Sequence, residues 1–358
     1  MRRAPLLTVA ITGMNAVPEN PGAGLAVARC LREALGERVR LVGLGYDALD
    51  PGLHRTEYCD SAYLLSYPGS GADTLLSRLA EIHAEERIDV LIPCLDAELP
   101  LLVKLAPELA ELGMRTFLPT AAQLERRAKD RLPDLAREAD VNCPETQSVT
   151  SIDFFRDCEK NGWPYPLVVK GVFYDARVVR DRDAAERAFR AIAAEWGRPV
   201  LVQRHVSGEE CNLTGIGDGS GALLGEVMMK KRATTQRGKA WAGISIHDEE
   251  LAGIARRLVA ALKWKGPIEI EVMRDGQGEY RLIEINPRFP AWTYLSQGVG
   301  RNLPALLLAL ATDTPPPMLA APRAGLLFIR YAEETLVPLA QFESLMVDGH
   351  SLRENEQS

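Results

Sequence analysis

Between residues 6 and 119 short apolar runs alternate with longer stretches of helical period. The runs are LLTVAI, VRLVGLG, AYLLS, DVLIPC and MRTFLP, and between them lie GLAVARCLREAL, DTLLSRLAEIHAEER and ELPLLVKLAPELAEL. Strands that are apolar at nearly every position, spaced by amphipathic helices, predict a parallel sheet covered on both faces. Residues 1–120 are therefore expected to form a Rossmann-like lobe. Ligands of such open sheets bind beyond the carboxyl ends of the strands, here Thr12 to Gly24, Gly45 to Asp47 and Pro93 to Glu98. Gly13, Gly22 and Gly24 do not fit the G-x-G-x-x-G spacing, which argues against a dinucleotide site.

Further along, the pattern changes. The segment from Thr120 to Thr146 predicts a helix capped by Thr120, interrupted near Pro133 and ended before Pro144, carrying the chain into a second lobe. From residue 165, YPLVVK, RVVRD, PVLVQRHV, ECNLTGIGD and ALLGEVMMKKRAT read as strands separated by short turns, with one helix, DAAERAFRAIAAEWG, among them. This is the grammar of an antiparallel α+β body. A helix over DEELAGIARRLVAALKWKG follows, with Asp248 as N-cap and Gly266 as its stop, then a hairpin turning at Asp275 to Gly278. The predicted organisation is an α/β and α+β chain with lobes at 1–120, 121–205 and 206–345. Residues 346–358 are expected as a disordered tail.

Composition adds exclusions. At 358 residues the chain exceeds one ordinary core. A net charge of -7, with a single basic stretch at 229–239, argues against nucleic acid as a partner. The apolar run near the start is only six residues long, so it reads as a first strand rather than a leader, and no run is long enough to span a membrane. The six cysteines show no metal-site spacing, consistent with reduced thiols in the cytoplasm.

The hairpin carries the chemistry. In IEIEV, Glu269 and Glu271 share a strand face; in LIEIN, Glu284 and Asn286 do, while Ile268, Ile270, Val272, Ile283 and Ile285 are expected on the other. A solvated acidic face would show the same alternation. Against that, the second strand runs directly into NPRFPAW, a stiff, aromatic-rich exit. Two carboxylates and an amide oxygen from neighbouring strands form a donor set for a hard cation such as Mg²⁺. Arg288 continues the alternation and could grip a carboxylate or a phosphoryl group.

LIEINPR after IEIEVMRDGQGEY resembles the E-x-N-P-R metal signature of the ATP-grasp superfamily, in its carbamoyl-phosphate-synthase-like branch of carboxylate-amine ligases. The resemblance extends along most of the chain. It implies Lys129 and Lys170 as lysines on the nucleotide phosphates, Gln203, Arg204, His205 and Val206 as the hinge that hydrogen-bonds adenine, and Glu210 as the acid for the ribose hydroxyls. It also implies Glu271, Glu284 and Asn286 as ligands of Mg²⁺ or Mn²⁺, Arg288 as the anchor of the acceptor, and Lys230 as a further basic residue near the phosphates. The loop after Lys170 departs from the family by keeping only Gly171, so a side chain such as Arg177 is expected to help hold phosphate.

The resemblance implies a two-lobed ATP-grasp fold after the Rossmann-like lobe and an ADP-forming ligase. ATP would phosphorylate a carboxylate, and an amine would attack the acyl phosphate. Small-molecule carboxylates and amines, amino acids or a peptide among them, are the partners it suggests, with a homodimer as the assembly. Bicarbonate chemistry of the carboxylase or carbamoyl-phosphate type, or non-catalytic ATP sensing, stands as the alternative. The basic stretch at 229–243 is read as a loop, serving as a lid over the nucleotide or an ordinary solvated segment, and Trp241 and Trp292 as candidate lining of the acceptor pocket.

Overall fold

A computed structural model describes residues 6–172 and 175–352. The first lobe runs β1 (Leu7–Ile11), α1 (Gly24–Leu35), β2 (Val39–Gly45), β3 (Ser61–Leu64), α2 (Ala72–Glu86), β4 (Val90–Ile92), α3 (Leu99–Lys104) and α4 (Ala106–Glu111). Its sheet pairs β1, β2, β3 and β4 in parallel, as the apolar runs predict. Gly24 opens α1 where a Cβ would lie 2.1 Å from the Thr12 carbonyl oxygen, so only glycine lets the helix start this close to the end of β1.

Two short helices, α5 (Ala121–Arg126) and α6 (Leu132–Glu138), lead out of this lobe. Thr120 and Gln123 form a reciprocal capping box, and Pro133 sits in the first turn of α6, where its missing N-H costs nothing. The central lobe contains β5 (Thr146–Val149), β6 (Leu167–Gly171), β7 (Ala176–Val179), α7 (Arg182–Trp196) and β8 (Val200–Arg204). Its four strands lie in the order β5-β8-β6-β7 over a core of their own that includes Phe155, Phe189 and Val202.

The third lobe comprises β9 (Gly208–Asp218), β10 (Leu223–Thr234), β11 (Ala240–Ile246), α8 (Glu249–Leu262), β12 (Lys265–Asp275), β13 (Tyr280–Asn286), α9 (Tyr294–Gly298), α10 (Leu303–Ala311) and β14 (Leu327–Ile329). Its sheet has the order β13-β12-β9-β10-β11-β14. One face packs on α8 through Leu258, Leu262 and Ile270. The opposite face shares a continuous core with the first lobe, where Ile216, Met229 and Phe289 join Ile11, Val27 and Leu31.

Several sequence-based expectations fail for physical reasons. The segment expected as a disordered tail contains the end of α11 (Leu339–Val347) and β15 (His350–Leu352), which pairs antiparallel with β3. The chain thus returns to the first sheet and covers its edge, which a polar tail sequence does not announce. Residues 353–358 lie outside the described residues. The basic stretch at 229–243, read also as a loop, is a hairpin: β10 runs to Thr234, as the strand reading of ALLGEVMMKKRAT expects, and β11 begins at Ala240. Helix α8 stops at Lys263, in the left-handed conformation, rather than at Gly266. Among the described residues no helix is long and apolar enough to cross a membrane.

Candidate active site

The acids of the hairpin converge as the alternation predicts. Glu269 lies opposite Asn286, and Glu271 opposite Glu284, in the β12 to β13 register. A bulge then intervenes, so that Leu282, and not Ile283, pairs with Val272 on the core face. The extra residue is a correction to the simple alternation; bulges often re-aim side chains beside sites.

Glu269, which the sequence left without a role, sits at the base of the site. Its carboxylate is buried at 4% exposure and accepts four hydrogen bonds. Oε1 receives Trp292 Nε1 at 2.7 Å and Asn212 Nδ2 at 2.8 Å; Oε2 receives Asn286 Nδ2 at 3.0 Å and Arg288 Nη1 at 3.1 Å. Asn286 Nδ2 also donates to Glu271 Oε1 at 2.8 Å, leaving Oδ1 free of these contacts. Trp292, expected to line the acceptor pocket, is 4% exposed and serves as a prop for Glu269.

Arg288 lies between two lobes. Its Nε donates to Asp96 Oδ2 in the first lobe at 3.0 Å, and its Nη1 to Glu269 in the third. Burial disfavours the charge, but Asp96 and Glu269 outweigh it and hold the guanidinium firmly protonated.

The lysines divide unequally. Lys129 meets Glu284 at 3.3 Å. Lys170 ends β6, 4% exposed, and donates to Gln203 Oε1 at 3.1 Å. Burial lowers its ammonium to about 8, with Glu284 pulling the other way. Gln203 in turn donates to Thr146 Oγ1 at 2.9 Å, so its side chain orients Lys170. Lys230 is a different case: it pairs with exposed Glu209 on the sheet face away from the acids. The neighbouring Lys231 points to the site, bonded to Glu210 and 3.4 Å from Glu271. The expectation at Lys230 is therefore corrected by one residue, because strand alternation puts adjacent lysines on opposite faces. Burial pushes the Glu210 carboxyl up to about 7. In Glu271 burial is outweighed by Lys231 and Lys239, which hold its carboxyl well below the usual range.

The expected hinge joins the two sheets: Gln203 and Arg204 end β8, and His205 and Val206 lie in the link to β9. The Arg204 side chain turns outward to Glu145 at 2.7 Å, so any contribution to a ligand is through its backbone. Of the loop after Lys170, Phe173 and Tyr174 lie outside the described residues, and Arg177 is paired with Asp175 at 2.7 Å. Sequence reading passed over Arg330. It follows β14, donates from Nε to the Ala240 carbonyl at 3.0 Å, and forms no ion pair among those of the described residues. Burial lowers its guanidinium, with no neighbouring charge to oppose it.

Among the described residues no group of three or more His, Cys, Asp or Glu forms a ready cation cage. The donor set of Glu271, Glu284 and the Asn286 amide oxygen nevertheless suits a hard, partly hydrated cation whose other ligands are phosphate oxygens and water. Both carboxylates already attract cationic charge, Glu271 from Lys231 and Glu284 from Lys129.

Comparison with known proteins finds the following similarities. A family profile described as ATP-grasp in the biosynthetic pathway with Ter operon matches residues 197–334, from β8 through β14. The large chain of carbamoyl phosphate synthase from Clostridium botulinum is 24% identical over 198 residues, covering 52% of this chain and 18% of that relative. The chain thus spans a small part of the curated relative it matches. Among solved structures, biotin carboxylase from Campylobacter jejuni superposes with a TM-score of 0.68 at 16% identity, covering 87% of this chain and 72% of that one. The L-amino acid ligase from Bacillus licheniformis gives 0.62 at 18% identity, covering 87% and 75%. At such identities the structural likeness is one of fold.

Proposed function

We propose that this chain, a member of the ATP-grasp superfamily, is an ATP- and Mg²⁺-dependent carboxylate-amine ligase forming an amide or peptide bond with release of ADP and phosphate. The observation that carries the reading is the placement of Arg288: a guanidinium kept charged beside the Glu271, Glu284 and Asn286 donor set, where an acceptor carboxylate would meet the transferred phosphoryl group.

Lys129 and Lys170 would bind the phosphate chain, with the backbone of Gln203 to Val206 on adenine and Glu210 on the ribose. Mg²⁺, held by Glu271, Glu284 and Asn286, would neutralise the phosphate charge. Arg288 holds the carboxylate so that its oxygen attacks the γ-phosphorus and the bond to ADP breaks. Arg288 then stabilises the oxygens of the acyl phosphate while the amine attacks the carbonyl carbon, loses a proton and expels phosphate.

The test is ADP formation with Mg²⁺ and ATP across paired pools of amino acids, other small carboxylates and amines, read together with product mass. Amide products are expected, and Glu284→Ala should lower the rate by more than about 100-fold, the scale of losing one electrostatic partner of a developing charge. Turnover with bicarbonate and no amine would overturn the amide reading. ADP binding without turnover on any pair would overturn ligation itself.

A further inference from the structure

The corner that follows β4 is built with more care than a connecting loop requires. Glu98, completely buried, accepts from Cys94 N and Leu95 N at 3.0 Å each, from Tyr46 Oη at 2.6 Å, and from Thr12 Oγ1. Thr12 Oγ1 also receives Cys94 N at 2.8 Å. These bonds fix Cys94 and Leu95, and with them the backbone that carries Asp96. The side chain of Asp96 is 24% exposed and that of its partner Arg288 is 11% exposed.

Three cations from three separate segments act on this one carboxylate. Burial would raise the Asp96 carboxyl, but Arg288, then Arg127 from the segment after α5, then Lys239 from the turn between β10 and β11, hold it below the usual range. The same turn is tied to the first lobe a second time, since Arg237 N donates to Glu19 Oε2 at 3.3 Å. Around Arg288, Nε is taken by Asp96 and Nη1 by Glu269 and the Phe289 carbonyl, so Nη2 is the guanidinium nitrogen outside these contacts.

We infer that Asp96 is a positioning residue of the acceptor site, supplied by the first lobe, which fixes the Arg288 guanidinium so that Nη2 is the edge presented to substrate. The first lobe is thereby a working part of the site. A carboxylate that merely imitated the substrate would be expected on a pliable segment, whereas Asp96 stands on a corner fixed by buried hydrogen bonds. The inference rests on the proposed reading of Arg288 as the acceptor anchor.

The test uses the full chain and Asp96→Asn, which keeps shape and removes charge, with Asp96→Glu as the conservative variant. In ¹⁵N spectra the Arg288 Nε-H signal, identified by its loss in Arg288→Lys, should be slow to exchange in the native chain. It should disappear or shift strongly in Asp96→Asn and recover at least in part in Asp96→Glu. Phosphoryl transfer from acetyl phosphate to ADP, giving ATP and acetate, reads the same contact. Asp96→Asn should raise the KM for acetyl phosphate by at least about tenfold, the scale of losing one charge-assisted bond, with the KM for ADP changed less than about twofold. An unchanged Arg288 signal in Asp96→Asn overturns the inference, and so does a lower KM for acetyl phosphate, which would make Asp96 a competitor of substrate. If the native chain makes no ATP from acetyl phosphate, the Arg288 signal alone decides whether Asp96 holds the guanidinium.

Discussion

Replacing Glu269 by glutamine keeps its volume and removes its charge, and the structure sets the size of the effect. Four donors converge on the carboxylate, two per oxygen. An amide has one oxygen, so either Trp292 and Asn212 or Asn286 and Arg288 must face an NH₂ group. In both orientations two buried donors lose their acceptor, at about 1 to 3 kcal/mol each, for a total of about 2 to 6 kcal/mol. Since the third lobe shares its core with the first, the loss should appear in a transition common to both, apart from unfolding of the central lobe. With an m value of about 3 kcal/mol/M in urea, the midpoint should fall by roughly 0.7 to 2 M, followed by tryptophan fluorescence and far-ultraviolet dichroism together. Exposed Asp153→Asn provides the control, expected within about 0.5 kcal/mol of the native chain. A midpoint shift for Glu269→Gln below about 0.3 M, under 1 kcal/mol on the same m value, would refute the reasoning, because it would mean that the four bonds do not jointly depend on the charge.

Two further outcomes follow from the lysines. Lys231→Met should lower ADP formation by at least about tenfold by leaving Glu210 and Glu271 without their shared cation, whereas Lys230→Met, removing one exposed pair, should change it less than about twofold; equal effects would reverse the assignment of the two sheet faces. The Lys170 ammonium is lowered to about 8 from an ordinary 10.5, so the unfolded chain binds more protons between these values and this residue's contribution makes stability rise with pH across that window. Phosphate beside Lys170 favours the charged form, so ADP binding above pH 8 should take up a proton and weaken as pH rises, read by calorimetry in two buffers of different ionisation enthalpy and flattened in Lys170→Met.

Much of the fold was legible because its determinants are local. The cap at Thr120, the aspartate cap of α8 and the apolar strands of the first sheet are each written within a few residues. The shared face of Glu271 and Glu284 was expected from alternation, although their pairing depends on the bulge between Glu271 and Val272, which the turn alone does not set. Where local rules mislead, the cause is local too: the bulge beside Glu271 moved Ile283 off the core face, and a single step of alternation separates Lys230 from Lys231. The return of β15 to β3 was not legible, because His350, Ser351 and Leu352 gain their meaning from an edge nearly three hundred residues earlier.

The acids of the site show where sequence reading reaches its limit. In IEIEV, Glu269 and Glu271 are indistinguishable by alternation, yet one is a buried hub and the other sits against Lys231 and Asn286. What separates them is which donors arrive: Trp292 from 23 positions away, Asn212 from 57 and Arg288 from 19. Asp96 lies further still, 192 positions from the guanidinium it holds. A carboxylate in a strand or a corner carries the same local signature whether it meets water, a metal or an arginine. Burial of that carboxylate requires the donors to be present: those of Glu269 come from distant strands and turns of the third lobe, and Asp96 meets Arg288 only because the first and third lobes close over one core. The chemistry at Arg288 is therefore a property of the packed lobes, which is why a change at Asp96 or Glu269, neither expected in contact with nucleotide, should reach the acceptor as surely as a change at Arg288 itself.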